Sequence, residues 1–401
     1  MTEPSATATP VLRLRRHEDK RLRAGHLWVY SNEVDSDARA LTDFAPGEPV
    51  RVHDHRDQFI GHAYVNPHAL ICARILSREE AEPIGPALLA KRLRSALALR
   101  RRLHARDYYR LVYGESDGLP GLVLDRFGDV IVGQIATLGM EALRPLVEAA
   151  VREVAAPRAL IWKNDGSARD LEKLPREVVA AFGELPPALT IVEEGLEFQA
   201  PLVDGQKTGW FYDQAANREQ LRRYVPPGAR VLDVCSYVGA WALTALRQGA
   251  ASAACVDSSQ HALDGAQRNA AANGLQLALH KGDAFDVLAR LGEQGERYDV
   301  VIVDPPAFIK RRKDQHQGEA AYRRLNQLAM RVMSDDALLV SCSCSYHLAH
   351  DTLPAILQSA ASHVGRGLQI LAFGGQAPDH PVHPAIPETR YLKTLFCRVT
   401  R

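Results

Sequence analysis

The chain has 401 residues, enough at roughly 100 to 200 residues per domain for two or three domains with ordinary cores, so a peptide module or a small stapled scaffold is excluded. Apolar residues make up 46% and charged residues 24%, with 49 Lys+Arg against 48 Asp+Glu; this is a globular rather than a disordered composition, and the net charge says little about partners. The six cysteines, Cys72, Cys235, Cys255, Cys342, Cys344 and Cys397, show no C-x-x-C spacing, so neither a disulfide framework nor a zinc ribbon is expected and a reducing cytoplasm fits.

Residues 1–10 are polar, and no later apolar run approaches the roughly 18 residues that span a membrane, so neither secretion nor membrane insertion is expected. Residues 11–76 offer short apolar stretches (27–30, 49–52, 58–65, 70–76) separated by Asp, Gly and Pro, the pattern of a small β-rich module. Arg13, Arg15, Arg16, Lys20, Arg21 and Arg23 crowd its start, ahead of Gly25, His26 and Trp28. The cluster reads either as solvated charge or as a surface that tracks phosphates and stacks a base. Over 83–106, Leu88, Leu89, Leu93, Leu97, Leu99 and Leu103 recur at helical spacing among Lys91, Arg92, Arg94, Arg100, Arg101, Arg102 and Arg106, which predicts an amphipathic helix with a basic outer face. Gly118-Leu119-Pro120-Gly121 lies between two β-like runs and predicts a hairpin over 108–134. A helix over 141–154 and strands over 159–163 and 189–193 complete a mixed α/β middle domain, with Pro186-Pro187 as its boundary.

From residue 191 onward the pattern changes. Short apolar runs at 230–234, 251–257, 277–282, 298–304, 337–343 and 392–399 alternate, for the most part, with helical stretches, which predicts an open, doubly wound, mostly parallel α/β sheet of Rossmann-like type. The expected domains are 1–78, a small β-rich module; 79–188, mixed α/β; and 189–401, the doubly wound domain.

Ligands of such a sheet bind outside the carboxyl ends of its strands. The first strand ends in Asp233-Val234-Cys235-Ser236-Tyr237-Val238-Gly239, where Gly239 lets a ligand approach the backbone. No G-x-G-x-x-G is present, so a pyrophosphate-binding turn is the weaker reading. Asp257 ends the second strand, where a carboxylate suits ribose hydroxyls; Asp283 ends the third, beside Ala284 and Phe285, which suit an adenine. Each acid alone is commonly a helix cap, but three at successive strand ends point to a nucleoside-bearing cofactor. The fourth end, Asp304-Pro305-Pro306-Ala307-Phe308, presents carbonyls, a carboxylate and a ring rigidly at the mouth of the sheet, which suits a flat, amine-bearing base.

Through these motifs the chain resembles class I S-adenosylmethionine-dependent methyltransferases. With Gly205-Gln206-Lys207-Thr208-Gly209-Trp210-Phe211-Tyr212-Asp213-Gln214 and Ser343-Cys344-Ser345 it resembles, more narrowly, the RlmI-type ribosomal RNA large-subunit cytosine-5 methyltransferases. The resemblance covers nearly the whole chain after Pro10 and is most specific in the last 200 residues. It implies an N-terminal PUA-like RNA-binding domain over 1–78, a middle domain, and a methyltransferase domain over 189–401. It also implies S-adenosylmethionine held by Asp233, Cys235, Ser236, Gly239, Asp257, Asp283, Ala284, Gln206, Lys207, Thr208, Phe211 and Asp304. Large-subunit ribosomal RNA would be the substrate, met by Pro305, Pro306, Phe308, Lys310, Arg311 and Arg312, and a homodimer is compatible with it.

Cytosine C5 is not nucleophilic, so methyl transfer to it requires prior addition of a nucleophile at C6, for which a thiolate is suited. Strand alternation puts Cys342 and Cys344 on one face, and only Cys344 reaches the carboxyl end; Cys344 is the expected nucleophile and Cys342 a core residue. Asp304 is expected to hold the cytosine N3/N4 edge. Other RNA cytosine-5 enzymes typically carry a second cysteine after the proline of the fourth motif, where Ala307 stands here as in the RlmI-type pattern, so the group that removes the C5 proton is not readable. His53/His55 and His380/His383 lack metal-ligand spacing, and no metal is expected. The competing readings are a methyltransferase acting on another base position, with Cys344 structural, and an inactive RNA-binding or assembly factor.

Overall fold

Among the described residues, short runs rich in branched and aromatic residues, bounded by Gly, Pro and Asp, pair into three sheets and a two-stranded ribbon. The computed structural model describes residues 9–202, 205 and 208–401. Strand β1 (Val11–Arg13), helix α1 (Lys20–Arg23), and strands β2 (Trp28–Tyr30), β3 (Pro49–His53), β4 (Phe59–Val65) and β5 (Ile71–Ser77) open the chain, the strands ordered β1-β3-β4-β5-β2. Next come α2 (Pro86–Leu103), β6 (Tyr108–Tyr113), β7 (Leu122–Phe127), β8 (Val130–Ile135), α3 (Leu138–Ala142), α4 (Arg144–Val154), β9 (Ala159–Asn164) and β10 (Glu177–Phe182), whose sheet runs β10-β9-β8-β7-β6. β11 (Ala188–Glu193) and β12 (Leu196–Pro201) form an antiparallel ribbon.

The remainder reads α5 (Ala215–Leu221), β13 (Arg230–Val234), α6 (Ala240–Arg247), β14 (Ser252–Asp257), α7 (Gln260–Ala272), β15 (Ala278–Lys281), α8 (Ala284–Glu293), β16 (Tyr298–Val303), α9 (Gln315–Arg331), β17 (Met333–Ser343), α10 (Thr352–His363), β18 (Gly367–Gly374) and β19 (Lys393–Thr400). Its seven strands are ordered β15-β14-β13-β16-β17-β19-β18. β13 to β17 pair in parallel, and β19 runs antiparallel to both neighbours. The strand order reverses between β13 and β16, and this switch point is where an open α/β sheet leaves a crevice beyond its carboxyl ends. Apolar layers pack on both faces, one centred on Val301, Leu325 and Leu357, the other on Val231, Trp241 and Ile302.

The chain divides into two compact units. The first holds residues 9–187 with Thr208 and Asp379–Thr389; the second holds Ala188–Leu202, Gly209–Pro378 and Arg390–Arg401.

The mostly parallel doubly wound sheet, the β-rich module and the 108–134 hairpin form as expected. Three details differ. The basic outer face of α2 does not include Arg100: it is fully buried, donating to Arg110 O (2.8 Å) and, in fork fashion, to Asp117 (2.5 and 2.8 Å), while Leu103 is exposed. The expected 141–154 helix is two helices, because Pro145 near the start of α4 lacks the N–H that a continuous helix needs there. Strand β18, an edge strand whose apolar run Ile370-Leu371-Ala372-Phe373 is largely exposed, was not among the expected strands.

In the first unit, helix α3 packs at Gly139 against the ring of Tyr64 from β4, whose hydroxyl donates to Pro120 O (2.9 Å). A Cβ at Gly139 would lie 2.0 Å from that buried ring. Gly139→Ala is expected to lower stability by about 1–3 kcal/mol through overpacking. An unchanged urea midpoint would show that the ring yields without cost.

Candidate active site

The second unit gathers its reactive side chains where β13, β14, β15, β16 and β17 end. After β13 the backbone takes positive φ at Cys235 (64°), Tyr237 (50°) and Gly239 (81°), so the chain turns sharply into α6. Only the last is a glycine, and for the other two such a conformation is costly. Backbone bonds fix the turn: Cys235 N and Ser236 N both donate to Val256 O (2.9 and 3.1 Å). A Cβ at Gly239 would press on Ala266 at 3.0 Å, so the helix starts there with its backbone close-packed.

Asp233 is wholly buried beneath this turn. Its Oδ2 accepts from Ala242 N (3.1 Å), while its Oδ1 has no partner among the described residues. Burial pushes its carboxyl up to about 8, the single backbone N–H opposing and the charges of Asp304 and Asp257 adding to the rise. An unsatisfied buried carboxyl oxygen suits a donor, and a cationic amine would supply both hydrogen bond and countercharge. Burial likewise pushes the Cys235 thiol up, the charges of Asp257 and Asp304 adding to the rise.

Asp257 receives Tyr237 N and Ser259 N, each at 2.9 Å, tying the first strand's turn to the second strand's end. Asp283 caps α8, accepting from Phe285 N at 2.8 Å, so the helix-cap function is present; Ala284 begins that helix. Phe211 packs edge-on against Tyr237 at 5.5 Å between centroids. Thr208 lies in the first unit, where its hydroxyl donates to Asp125 Oδ2 (2.5 Å), and Gln206 and Lys207 lie outside the described residues.

Asp304 follows β16, its N–H donating to Val234 O (3.2 Å) across the switch point. Its Oδ2 accepts from Gln214 Nε2 (3.0 Å) and Trp241 Nε1 (3.1 Å). The Gln214 amide is oriented in turn by Asn217 Nδ2, which donates to its Oε1 (2.7 Å) and to Gly375 O (2.8 Å). Gln214, Asn217 and Trp241 were not singled out in the sequence. Gln214 closes the 205–214 motif, which was the available signal.

Beyond Asp304, Pro305 is buried, Pro306 and Lys310, Arg311 and Arg312 are exposed, and Phe308 stacks between Phe285 (6.2 Å) and Tyr322 (4.8 Å). Tyr322, from α9, is the hub of a buried hydroxyl network. Ser343 Oγ donates to its phenol oxygen (2.9 Å), Ser345 Oγ shares a bond with it (2.9 Å), and Ile309 N donates to Ser345 Oγ (3.1 Å). A side chain at Gly318 would meet Ile309 at 2.2 Å, so that glycine lets α9 lie against the loop. The two serines that flank Cys344 are thereby fastened to the Phe308-Ile309 loop, and Cys344 Sγ lies 3.9 Å from Pro305 O. Cys344 is half-buried, whereas Cys342 is fully buried and accepts from Thr394 Oγ1 (3.4 Å).

The carboxyl of Asp233 generates a pH prediction. Its folded value is raised above the unfolded one, so its contribution to stability is fully present below about pH 4 and is lost as pH rises towards 8. Asp233→Asn keeps the shape without the ionisation. Relative to the parent, the variant should gain stability between pH 5 and pH 8.5 in urea unfolding of the ligand-free protein; a constant difference would show that Asp233 does not titrate there.

Comparison with known proteins gives the assembly a lineage. The family described as a PUA-like domain matches residues 12–78, and the family described as S-adenosylmethionine-dependent methyltransferase matches residues 177–395. A relative from Salmonella arizonae named Ribosomal RNA large subunit methyltransferase I is 35% identical over 100% of this chain and 100% of its own. One of the same name from Cronobacter sakazakii is 36% identical over 96% of this chain and 98% of its own. The crystal structure of SMU.776 complexed with SAH shares the fold, with a TM-score of 0.82 at 20% identity over 97% of this chain and 100% of that one. The chain therefore belongs to the ribosomal RNA large subunit methyltransferase I family and is an S-adenosylmethionine-dependent methyltransferase with an N-terminal PUA-like domain.

Proposed function

We propose that this enzyme methylates C5 of a cytosine in large-subunit ribosomal RNA through a covalent bond between Cys344 and C6. The observation that carries the reading is the placement of Cys344. It is half-buried at the carboxyl end of β17, its flanking serines are fastened to Tyr322, and its sulfur sits beside Pro305 of the Asp304-Pro305-Pro306 loop. A structural cysteine would resemble Cys342, sealed in the core two residues earlier. The names of the curated relatives support large-subunit ribosomal RNA as the substrate.

The residues present fit S-adenosylmethionine. Asp233, with its unsatisfied oxygen, suits the amino group of the methionine moiety, and Asp257 and Asp283 suit ribose and adenine beside Ala284 and Phe211. Cys235, Ser236 and Gly239 supply the tight turn, and Gln206 and Lys207, outside the described residues, are assigned to the same ligand by resemblance. When bound, the cofactor supplies an electrophilic sulfonium methyl. Asp304, held in orientation by Gln214 and Trp241, accepts from the cytosine amino edge, and Pro305, Pro306 and Phe308 form the wall against the ring. Lys310, Arg311 and Arg312, exposed beside that mouth, meet the phosphate backbone.

With the base turned out of its stack, the Cys344 thiolate adds to C6 and the C5=C6 double bond opens, leaving C5 nucleophilic. After methylation, loss of the C5 proton and breakage of the S–C6 bond restore both the aromatic ring and the thiolate.

An RNA bearing 5-fluorocytosine at the target is expected to be trapped as an adduct that survives denaturing electrophoresis, since fluorine replaces the proton whose loss releases the enzyme. Cys344→Ala should abolish both adduct and methylation. A Cys344→Ala enzyme that still methylates at the parental rate would overturn the mechanism.

Asp257→Ala is expected to weaken S-adenosylmethionine binding by about 1.5–3 kcal/mol, the worth of hydrogen bonds to a charged group. Unchanged affinity by calorimetric titration would remove Asp257 from the cofactor site.

A further inference from the structure

Lys393 is a buried cation that the reading so far leaves without a task. It opens β19 directly opposite Ser343 on β17, and it is 3% exposed. Its ammonium donates to Ser345 O (2.5 Å) and to Leu348 O (2.9 Å), two carbonyls of the loop that follows Cys344. Among the described residues no carboxylate lies within ion-pair distance of it. A lysine buried without a carboxylate partner is costly, and such a position persists when a nearby anion balances the charge.

The charged and titratable groups around it decide which anion that is. Arg390, on the loop leading into β19, bears on Lys393 as a like charge, as does Lys393 on His350 in the loop after β17. Asp351 acts on His350 from the same loop, and Tyr322 of α9 is hydrogen-bonded to Ser345, whose carbonyl Lys393 holds. Cys344 is the group whose negative charge acts favourably on Lys393. Burial pushes the ammonium down to about 8, so it remains mostly charged at neutral pH. A half-buried thiol in a cationic setting is the environment in which cysteines become reactive.

We propose that Lys393 is a positioning residue that pins the backbone after Cys344 through Ser345 and Leu348 and supplies the positive charge that stabilises the Cys344 thiolate. The inference rests on Cys344 as the nucleophile, but it concerns the thiol itself and is testable without RNA or cofactor.

The test is alkylation of the full-length protein by iodoacetamide from pH 6 to pH 10, with the modified cysteine identified by peptide mass spectrometry. At pH 7, Cys344 should react about tenfold more slowly in Lys393→Met than in the parent, the factor that one unit of thiol ionisation represents. The deficit should close at pH 10, where the thiol ionises unaided. Lys393→Arg, which keeps the charge, should stay within about threefold of the parent at pH 7.

Equal rates in the parent and Lys393→Met at pH 7, or a deficit that persists undiminished at pH 10, would overturn the inference, the latter because only access had changed. Should Lys393→Met fail to fold, the parent alone decides. Its Cys344 rate must reach half its maximum at a lower pH in the native protein than in the urea-unfolded chain, and an equal or higher midpoint overturns the proposal. Failure of the cytosine-C5 reading is separate: it would appear as methylation by Cys344→Ala while the alkylation profile still showed dependence on Lys393.

Discussion

The parallel pairing of β13 with β16 is the constraint from which the active site follows. The two strands are central neighbours, in register from Val231 opposite Val300 to Val234 opposite Val303, and the bond from Asp304 N to Val234 O extends the ladder one step past the strand ends. Their connections leave in opposite directions, the chain passing from β13 to β14 on one side of the order and from β16 to β17 on the other. The backbone therefore parts above the strands, and a crevice opens between two carboxyl ends that cannot separate. The turn after β13 and the Asp304-Pro305-Pro306 loop flank it.

What lines that crevice is governed by the cost of burying polar groups. Burial pushes the Asp233 carboxyl up and leaves it one backbone N–H, while Asp304, half-buried, receives two side-chain N–H groups. The same kind of group is thus given two settings by its surroundings, one with an oxygen unpartnered among the described residues and one held between two side-chain donors. The order of the relay, Asn217 to Gln214 to Asp304, leaves the amide of Gln214 one arrangement, because its carbonyl oxygen is already occupied. Glycines complete the packing. Gly374 leaves room for Asn217, whose oxygen would otherwise sit 2.2 Å from a Cβ, as Gly318 leaves room for Ile309.

In the first unit basic residues are divided between structure and surface. Arg13, Arg21 and Arg23 are engaged with Asp57, Glu33, and the pair Asp19 and Asp54, whereas Arg15, Arg16 and Lys20 are exposed. The cluster is thus split between ion pairs inside the module and exposed charge at Arg15, Arg16 and Lys20. The exposed Arg13–Asp57 pair contributes little to stability, whereas Glu33 and Asp54 are buried partners, and the module's apolar cluster centres on Val29, Val52 and Ile75. Trp28, whose indole N–H donates to Glu115 (2.9 Å), is a partly exposed ring fixed by a partner far along the chain.

Local pattern by itself determined the class of fold and the positions where ligand chemistry had to be sought. Alternation of buried runs with helical stretches required a doubly wound sheet, and the acids at 233, 257, 283 and 304 stood at strand ends because each apolar run stops there. The difference in burial between Cys342 and Cys344 was legible too, since two residues on one face differ only in how near they come to the end of the strand. Tertiary structure alone decided which distant groups complete those acids and that thiol. Gln214 lies 90 residues from Asp304, Trp241 63 residues from it, and Lys393 48 residues from Ser345. No local periodicity encodes such distances, because they are set by strand order and register. For the same reason Arg100 read as a solvated helix residue: its helical position was correct, but the buried Asp117 that neutralises it is contributed by a different element. A charge is assigned to surface or core by its partner, and partners are brought together only when the chain is folded.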